Sequence, residues 1–166
     1  MDALKTRLQA LQRLVTQISI KVTYTNDWVE VCTQLPNEMY LVGDANLDGE
    51  ITQDDVSAGM RIISGSIDGT IPKILSDVNM DGVLGSPDIS LLMSTTRGTA
   101  TPYITYATAI EYADAAVGDT VWVYLADSSG HIYPAYAKVW ADGIIAVYSN
   151  EQIPTTATGV IKIIKV

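Results

Sequence analysis

The 166-residue sequence holds one cysteine and one histidine, and these two shortages remove several kinds of chemistry at once. A single thiol, Cys32, can form no internal disulfide. With no Lys, Arg or His cluster beside it in sequence, it reads as a structural thiol rather than a reactive one. The one imidazole, His131, follows the turn residues DSSG and reads as a surface side chain rather than a general base. There is no zinc-spaced ligand set, phosphate-binding glycine loop or nucleophile elbow. No catalytic constellation can be named, and a non-enzymatic role is expected.

Long apolar runs are also missing. The N-terminal MDALKTRLQALQRLVTQ is too polar for a secretory signal, and no later stretch is long and apolar enough for a membrane span. Synthesis in the cytoplasm of the producing cell, with no membrane partner, is the expectation. Basic charge is scarce: Lys and Arg number 10 against 19 Asp and Glu, for a formal net charge of -9. Those ten are scattered and form no basic stripe, so nucleic acid is not an expected partner. The apolar fraction is ordinary at 48%, enough for packed cores rather than a disordered tail.

What the sequence does hold is a duplicated acidic loop. Asp44 to Asp55 reads DANLDGEITQDD, and Asp77 to Asp88 reads DVNMDGVLGSPD. Each has carboxylate or amide oxygens at loop positions 1, 3, 5 and 12 and a glycine at position 6, the spacing with which a tight loop turns alternate oxygens toward a hard cation. The expected ligands are Asp44, Asn46, Asp48 and Asp55 in one loop and Asp77, Asn79, Asp81 and Asp88 in the other. Glu50 and Val83 at position 7 contribute only main-chain carbonyls, so their side chains are free to differ. Two calcium ions are thus the expected cofactors, and they would bring the formal charge from -9 to about -5. Ile51 and Leu84, at position 8, are expected to pack the loops against each other. After each loop a helical pattern follows, Val56, Met60 and Ile63 in one and Ile89, Leu92, Met93 and Thr96 in the other. Thr52 and Ser86 are expected to cap these helices, Pro87 to lie in a first turn, and Gly65 and Gly98 to stop them. The constant offset across ligand, core and stop positions marks duplication of one loop-helix unit.

The unit resembles a dockerin over about residues 42–98, on the motifs GDANLDGEITQDD and SDVNMDGVLGSPD. Aspartate closes each loop, and no helix is expected before either loop, unlike an ordinary EF-hand. The resemblance implies a calcium-dependent fold whose helices carry a surface for a cohesin partner. The pairs Gln53-Asp54 and Ser86-Pro87 differ from the Ser-Thr-like pairs common in that family, so calcium ligation carries over and partner recognition does not.

Around this module the period of the apolar pattern changes. Leu4, Leu8, Leu11, Val15 and Ile18 follow a heptad seam, and Leu14 widens it toward three strands; the alternative is an amphipathic helix on the chain's own core. Ile20, Val22 and Tyr24 then alternate, and Asn26-Asp27 turns the chain into WVEVCTQL, a β-hairpin pattern. GSIDGTIPKILS reads as a loop with a short helical turn, its Ile71, Ile74 and Leu75 filling the space between the calcium units. Beyond the linker TATP, the runs Thr120–Ala126, His131–Trp140, Gly143–Ser149 and Gly159–Val166 predict an antiparallel meander, with a further short helix or strand near Ala107–Ala116. Its aromatics Tyr124, Tyr133, Tyr136, Trp140 and Tyr148 read as core and interface, with a carbohydrate-stacking face as the alternative.

The expected fold class is α+β, in three parts. Residues 1–41 form a coiled-coil helix and hairpin for oligomerisation or anchoring, 42–98 the calcium module, and 103–166 an antiparallel β-domain. This order resembles, in architecture only, phage virion fibres and appendages, which implies a trimeric homo-oligomer, a virion location and another virion or scaffold protein as partner. The competing expectation is an extracellular cellulosome-type component with a cohesin-like partner and a carbohydrate-binding β-domain.

Overall fold

The computed structural model describes residues 28–101 and 104–165. The heptad helix, the first hairpin arm and the Asn26-Asp27 turn lie outside the described residues. Strands β1 (Trp28–Cys32) and β2 (Tyr40–Leu41) come first, followed by helices α1 (Gln53–Ile63), α2 (Thr70–Ser76) and α3 (Ser86–Thr96). Strands β3 (Tyr106–Glu111), β4 (Thr120–Ala126), β5 (Ala135–Ala141), β6 (Ile144–Ser149) and β7 (Thr158–Ile164) complete the chain. The fold class is α+β, with all sheet pairings antiparallel.

The four expected runs are strands, but they do not form a meander. One sheet has the order β1-β7-β4 and the other β2-β3-β6-β5. The segment near Ala107–Ala116 supplies β3, which lies beside β6 and separates the β5–β6 hairpin from β2. Local turn chemistry explains the adjacent pairs, as where Asp142-Gly143 joins β5 to β6 with Gly143 at φ 79°. The remaining neighbours are set by which faces must be buried. The strands Trp28–Cys32 and Tyr40–Leu41, expected in an N-terminal unit, lie in sheets with C-terminal strands, Trp28 opposite Ile164 and Tyr40 opposite Ala107. The helical unit is therefore an insertion between two strands of one sheet.

Alternation along β6 shows how the layers stack. Ile145 and Val147 join a core with Ile110 and Val139 of their own sheet and Leu125, Ile161 and Ile163 of the other. Ala146 and Tyr148, the intervening residues, join a second core with Ala107 and Ala109 of β3 and with Val42, Val56, Ile74, Leu75, Val78 and Leu92 of the helical unit. Successive side chains on a strand point to opposite faces, so the sheet is covered on one side by its partner sheet and on the other by helices. Ile74 and Leu75 of α2 are wholly buried, filling the gap between the two repeats as expected and touching the sheet as well. Each such side chain contributes roughly 1.5–3 kcal/mol through burial. Cys32 is half-buried, packs against the inter-sheet core and has its thiol pKa raised chiefly by that burial.

The close approach of β4 and β7 depends on Gly159, which stands opposite Leu125. A Cβ there would lie 2.0 Å from the Tyr124 carbonyl oxygen, a main-chain atom that cannot move without breaking the ladder. Gly159→Ala is expected to destabilise the protein by about 3 kcal/mol, read as a lower urea midpoint. A midpoint equal to that of the parent chain contradicts this packing.

Candidate metal centre

The two acidic loops repeat each other in backbone as well as in sequence. Each leads into a helix of 11 residues. Position 4 is left-handed in both, Leu47 at φ 64° and Met80 at φ 59°, and so are the position-6 glycines, Gly49 at 93° and Gly82 at 87°. Left-handed non-glycine residues are uncommon, and among the described residues these two are the only ones. Their recurrence at matching positions shows that the loop shape is duplicated.

The hydrogen bonds match as well. Asp44 Oδ2 accepts from Gly49 N at 2.9 Å, and Asp77 Oδ2 from Gly82 N at 2.9 Å. Asp55 Oδ1 accepts from Asn46 N at 3.2 Å and Asp88 Oδ1 from Asn79 N at 3.3 Å. The second oxygens of the closing aspartates take the N–H groups of Thr52 at 2.7 Å and Gly85 at 2.9 Å. At the exposed rim, Asn46 Oδ1 accepts from Asp48 N and Asn79 Oδ1 from Asp81 N, both at 2.9 Å. Asp48 Oδ1 in turn takes Glu50 N at 3.0 Å, and Asp81 Oδ1 takes Val83 N at 2.7 Å. Val83 is 70% exposed, so only its main chain belongs to the loop.

The helix ends follow from the same register. Thr52 caps α1, its hydroxyl accepting from Asp54 N at 3.2 Å. The equivalent residue before α3 is Gly85, not Ser86, which is the first helical residue. The repeat offset fixes this, because the closing aspartate must reach back to the residue before the helix in both copies. Gly65 and Gly98 stop the helices with positive φ, and Ser66 N to Arg61 O at 2.8 Å matches Thr99 N to Ser94 O at 2.9 Å, the Schellman closure. The position-8 residues pack against different cores. Ile51 lies in the core that contains Leu92 of α3, and Leu84 packs with Ala58 and Ile62 of α1, so each loop is fastened to the other repeat's helix. Gly59 lets those helices approach, since a Cβ there would stand 3.0 Å from Ile89 Cδ1.

Electrostatically the loops are demanding. Asp44, Asp55, Asp77 and Asp88 are all at most 2% exposed, and among the described residues no cationic side chain is in an ion pair with any of them. Burial raises the pKa of Asp44 and Asp88 above the usual carboxylate range, against the pull of the loop N–H groups. Asp77 Oδ1 is buried and has no hydrogen-bond partner, although the corresponding Asp44 Oδ1 accepts from Asp48 N at 3.1 Å. Among the described residues, no three His, Cys, Asp or Glu side chains converge into a metal set by themselves. An oxygen set in either loop needs the amide of Asn46 or Asn79 and a main-chain carbonyl at position 7, donors that suit a hard cation.

The sheet adds residues that the loop motif does not reveal. Trp140 Nε1 donates to Asp77 Oδ2 at 2.8 Å, Lys138 Nζ donates to the Met80 carbonyl at 2.6 Å, and Tyr136 OH donates to Met80 Sδ at 3.1 Å. The signal available in sequence was their spacing along β5, which puts all three on one face. Of the aromatics considered for a stacking face, Tyr148 is buried and Tyr136 stacks on it at 4.9 Å, while Tyr124 stands exposed beside Trp122. His131 is exposed and its Nε2 lies 2.8 Å from Glu151 Oε2. Comparison with protein-family models, curated proteins and solved structures gives no match to this chain.

The Tyr148 hydroxyl is buried without a partner, and burial holds its pKa far above the ordinary phenol range. Removing an unsatisfied hydroxyl relieves its desolvation cost, so Tyr148→Phe is expected to raise stability by about 1 kcal/mol in urea unfolding. A loss of that size instead would reveal a bond that the hydroxyl makes.

Proposed function

We propose that the protein is a non-enzymatic structural and attachment protein whose duplicated unit is a dockerin-like module braced by two calcium ions. The observation that carries this reading is the recurrence of one oxygen-lined loop, with the same main-chain donors to its first and last aspartates, around buried carboxylates that have no cationic partner among the described residues. In the first loop Asp44, Asn46, Asp48 and Asp55 supply side-chain oxygens and Glu50 a carbonyl. In the second, Asp77, Asn79, Asp81, Asp88 and the Val83 carbonyl do the same. A divalent ion supplies the positive charge that these carboxylates lack and a partner for Asp77 Oδ1.

Because calcium binds the folded loops and not the unfolded chain, it is linked to stability. At a concentration a hundredfold above its dissociation constant each site adds about 2.7 kcal/mol. Adding a chelator is therefore expected to lower the melting temperature, and excess calcium to restore it. Calorimetry showing no heat of binding at millimolar calcium would sink the proposal.

The assembly part of the reading is a homo-oligomer, most simply a trimer, serving as a fibre or appendage subunit of a phage particle and contacting another virion protein. It rests on the heptad spacing of Leu4, Leu8, Leu11, Val15 and Ile18. An aspartate in that seam would bury an unpaired charge in every subunit. Leu11→Asp is expected to lower the solution mass in light scattering to that of the monomer; an unchanged mass assigns the helix to its own chain.

A second reading is favoured by the outer face of α1, where Met60 and Ile63 are exposed beside Arg61. In that reading the module docks, dockerin-like, on a cohesin-like scaffold partner outside the cell, and the β-domain carries a carbohydrate ligand. A calcium-dependent monomer in solution supports it over the fibre.

A further inference from the structure

We infer that Trp140 is the positioning residue of the second metal loop: it fixes the Asp77 carboxylate with one oxygen held and the other left free for the ion. The inference rests on the calcium reading above and deepens it by making the two sites unequal.

The argument begins with the strand. The register of β5 on β6 shifts between Val139 and Ala141, so Trp140 is the extra residue of a β-bulge. Val139 packs in the inter-sheet core, so Trp140, alternating with it, faces the helical layer together with Lys138 and Tyr136. Here the indole reaches the opening residue of a loop far away in sequence, donating to Asp77 Oδ2 at 2.8 Å. That same oxygen also takes Gly82 N at 2.9 Å, so Oδ2 is committed to two donors. Oδ1 has none, and Asp77 is fully buried. A carboxylate held by one oxygen, with the other dry and unpartnered, is oriented for a cation, in the way that outer hydrogen bonds orient metal ligands generally. Lys138 adds a second tie from β5 at Met80, loop position 4.

Among the described residues the first loop has no such tie. The donors to Asp44 are the N–H groups of its own loop, Gly49, Asp48 and Leu47. The loop borders an open cleft that Tyr40, Asp44, Asp48, Tyr106 and Gln152 help to line. The two ligand sets are identical in side-chain type, and β5 ties only the second of them.

The test is calcium calorimetry on the full chain with one loop silenced at a time. In the Asp48→Ala background only the second loop binds, and adding Trp140→Phe, which removes the indole donor and keeps an aromatic ring, is expected to weaken binding by about 10- to 100-fold. In the Asp81→Ala background only the first loop binds, and Trp140→Phe is expected to change its affinity by less than about twofold. Equal affinity with and without the indole in the Asp48→Ala background overturns the inference. Loss in both backgrounds also overturns it, because the indole then supports the fold and not the site. Absence of calcium binding by the parent chain is a different result, which removes the calcium reading itself.

Discussion

Four buried aspartates constrain the helical layer of this protein. Asp44, Asp55, Asp77 and Asp88 are each at most 2% exposed, and a carboxylate withdrawn from water has to be hydrogen-bonded, paired or protonated. The chain answers by bending its own backbone around them. Asp55 accepts from Asn46 N and Thr52 N, and Asp88 from Asn79 N and Gly85 N, so the residue that closes each loop also fixes where the following helix begins. The left-handed Leu47 and Met80 and the glycines two residues later are the backbone's side of the same requirement. Loop shape, helix start and helix direction are one solution, found twice.

The second organising fact is a sheet buried on both faces. Because β6 alternates Ile145 and Val147 toward one core with Ala146 and Tyr148 toward the other, the two cores share a strand. Small residues, Ala107, Ala109 and Ala146, leave room on the helical side, and the wholly buried Ile74 and Leu75 occupy the same core. An insertion between β2 and β3 thereby becomes a structural layer and not an appended module. The second loop is tied to the sheet by hydrogen bonds from Trp140, Lys138 and Tyr136.

Duplication gave two loops, and the sheet then treated them differently. Their internal hydrogen bonds correspond except that Asp44 Oδ1 takes Asp48 N while Asp77 Oδ1 has no partner, and only the second loop is gripped by β5. Equivalent sequence positions need not have equivalent surroundings, because the repeat has a symmetry that the β-domain does not share. The exchange of Ile51 and Leu84 between the repeats preserves that symmetry inside the module; the bonds from Tyr136, Lys138 and Trp140 break it from outside.

By itself the sequence determined whatever depends on short spacing. The oxygens at loop positions 1, 3, 5 and 12, the glycine bends at Gly49 and Gly82, the stops at Gly65 and Gly98, and the four C-terminal strand runs are local, since each is governed by neighbours within a turn or a pleat. The α+β class followed from the change of apolar period along the chain. Tertiary structure alone decided the rest. The strand beginning at Trp28 pairs with β7, and β3 enters between β2 and β6, because strand order depends on which apolar faces can be covered together rather than on sequence neighbours. Ser86 lost the capping position to Gly85 because the repeat register outweighs side-chain preference. Trp140 and Asp77 are separated by 63 residues: the alternation along β5 gives the face that Trp140 shares with Lys138 and Tyr136, but only packing brings the second loop onto that face.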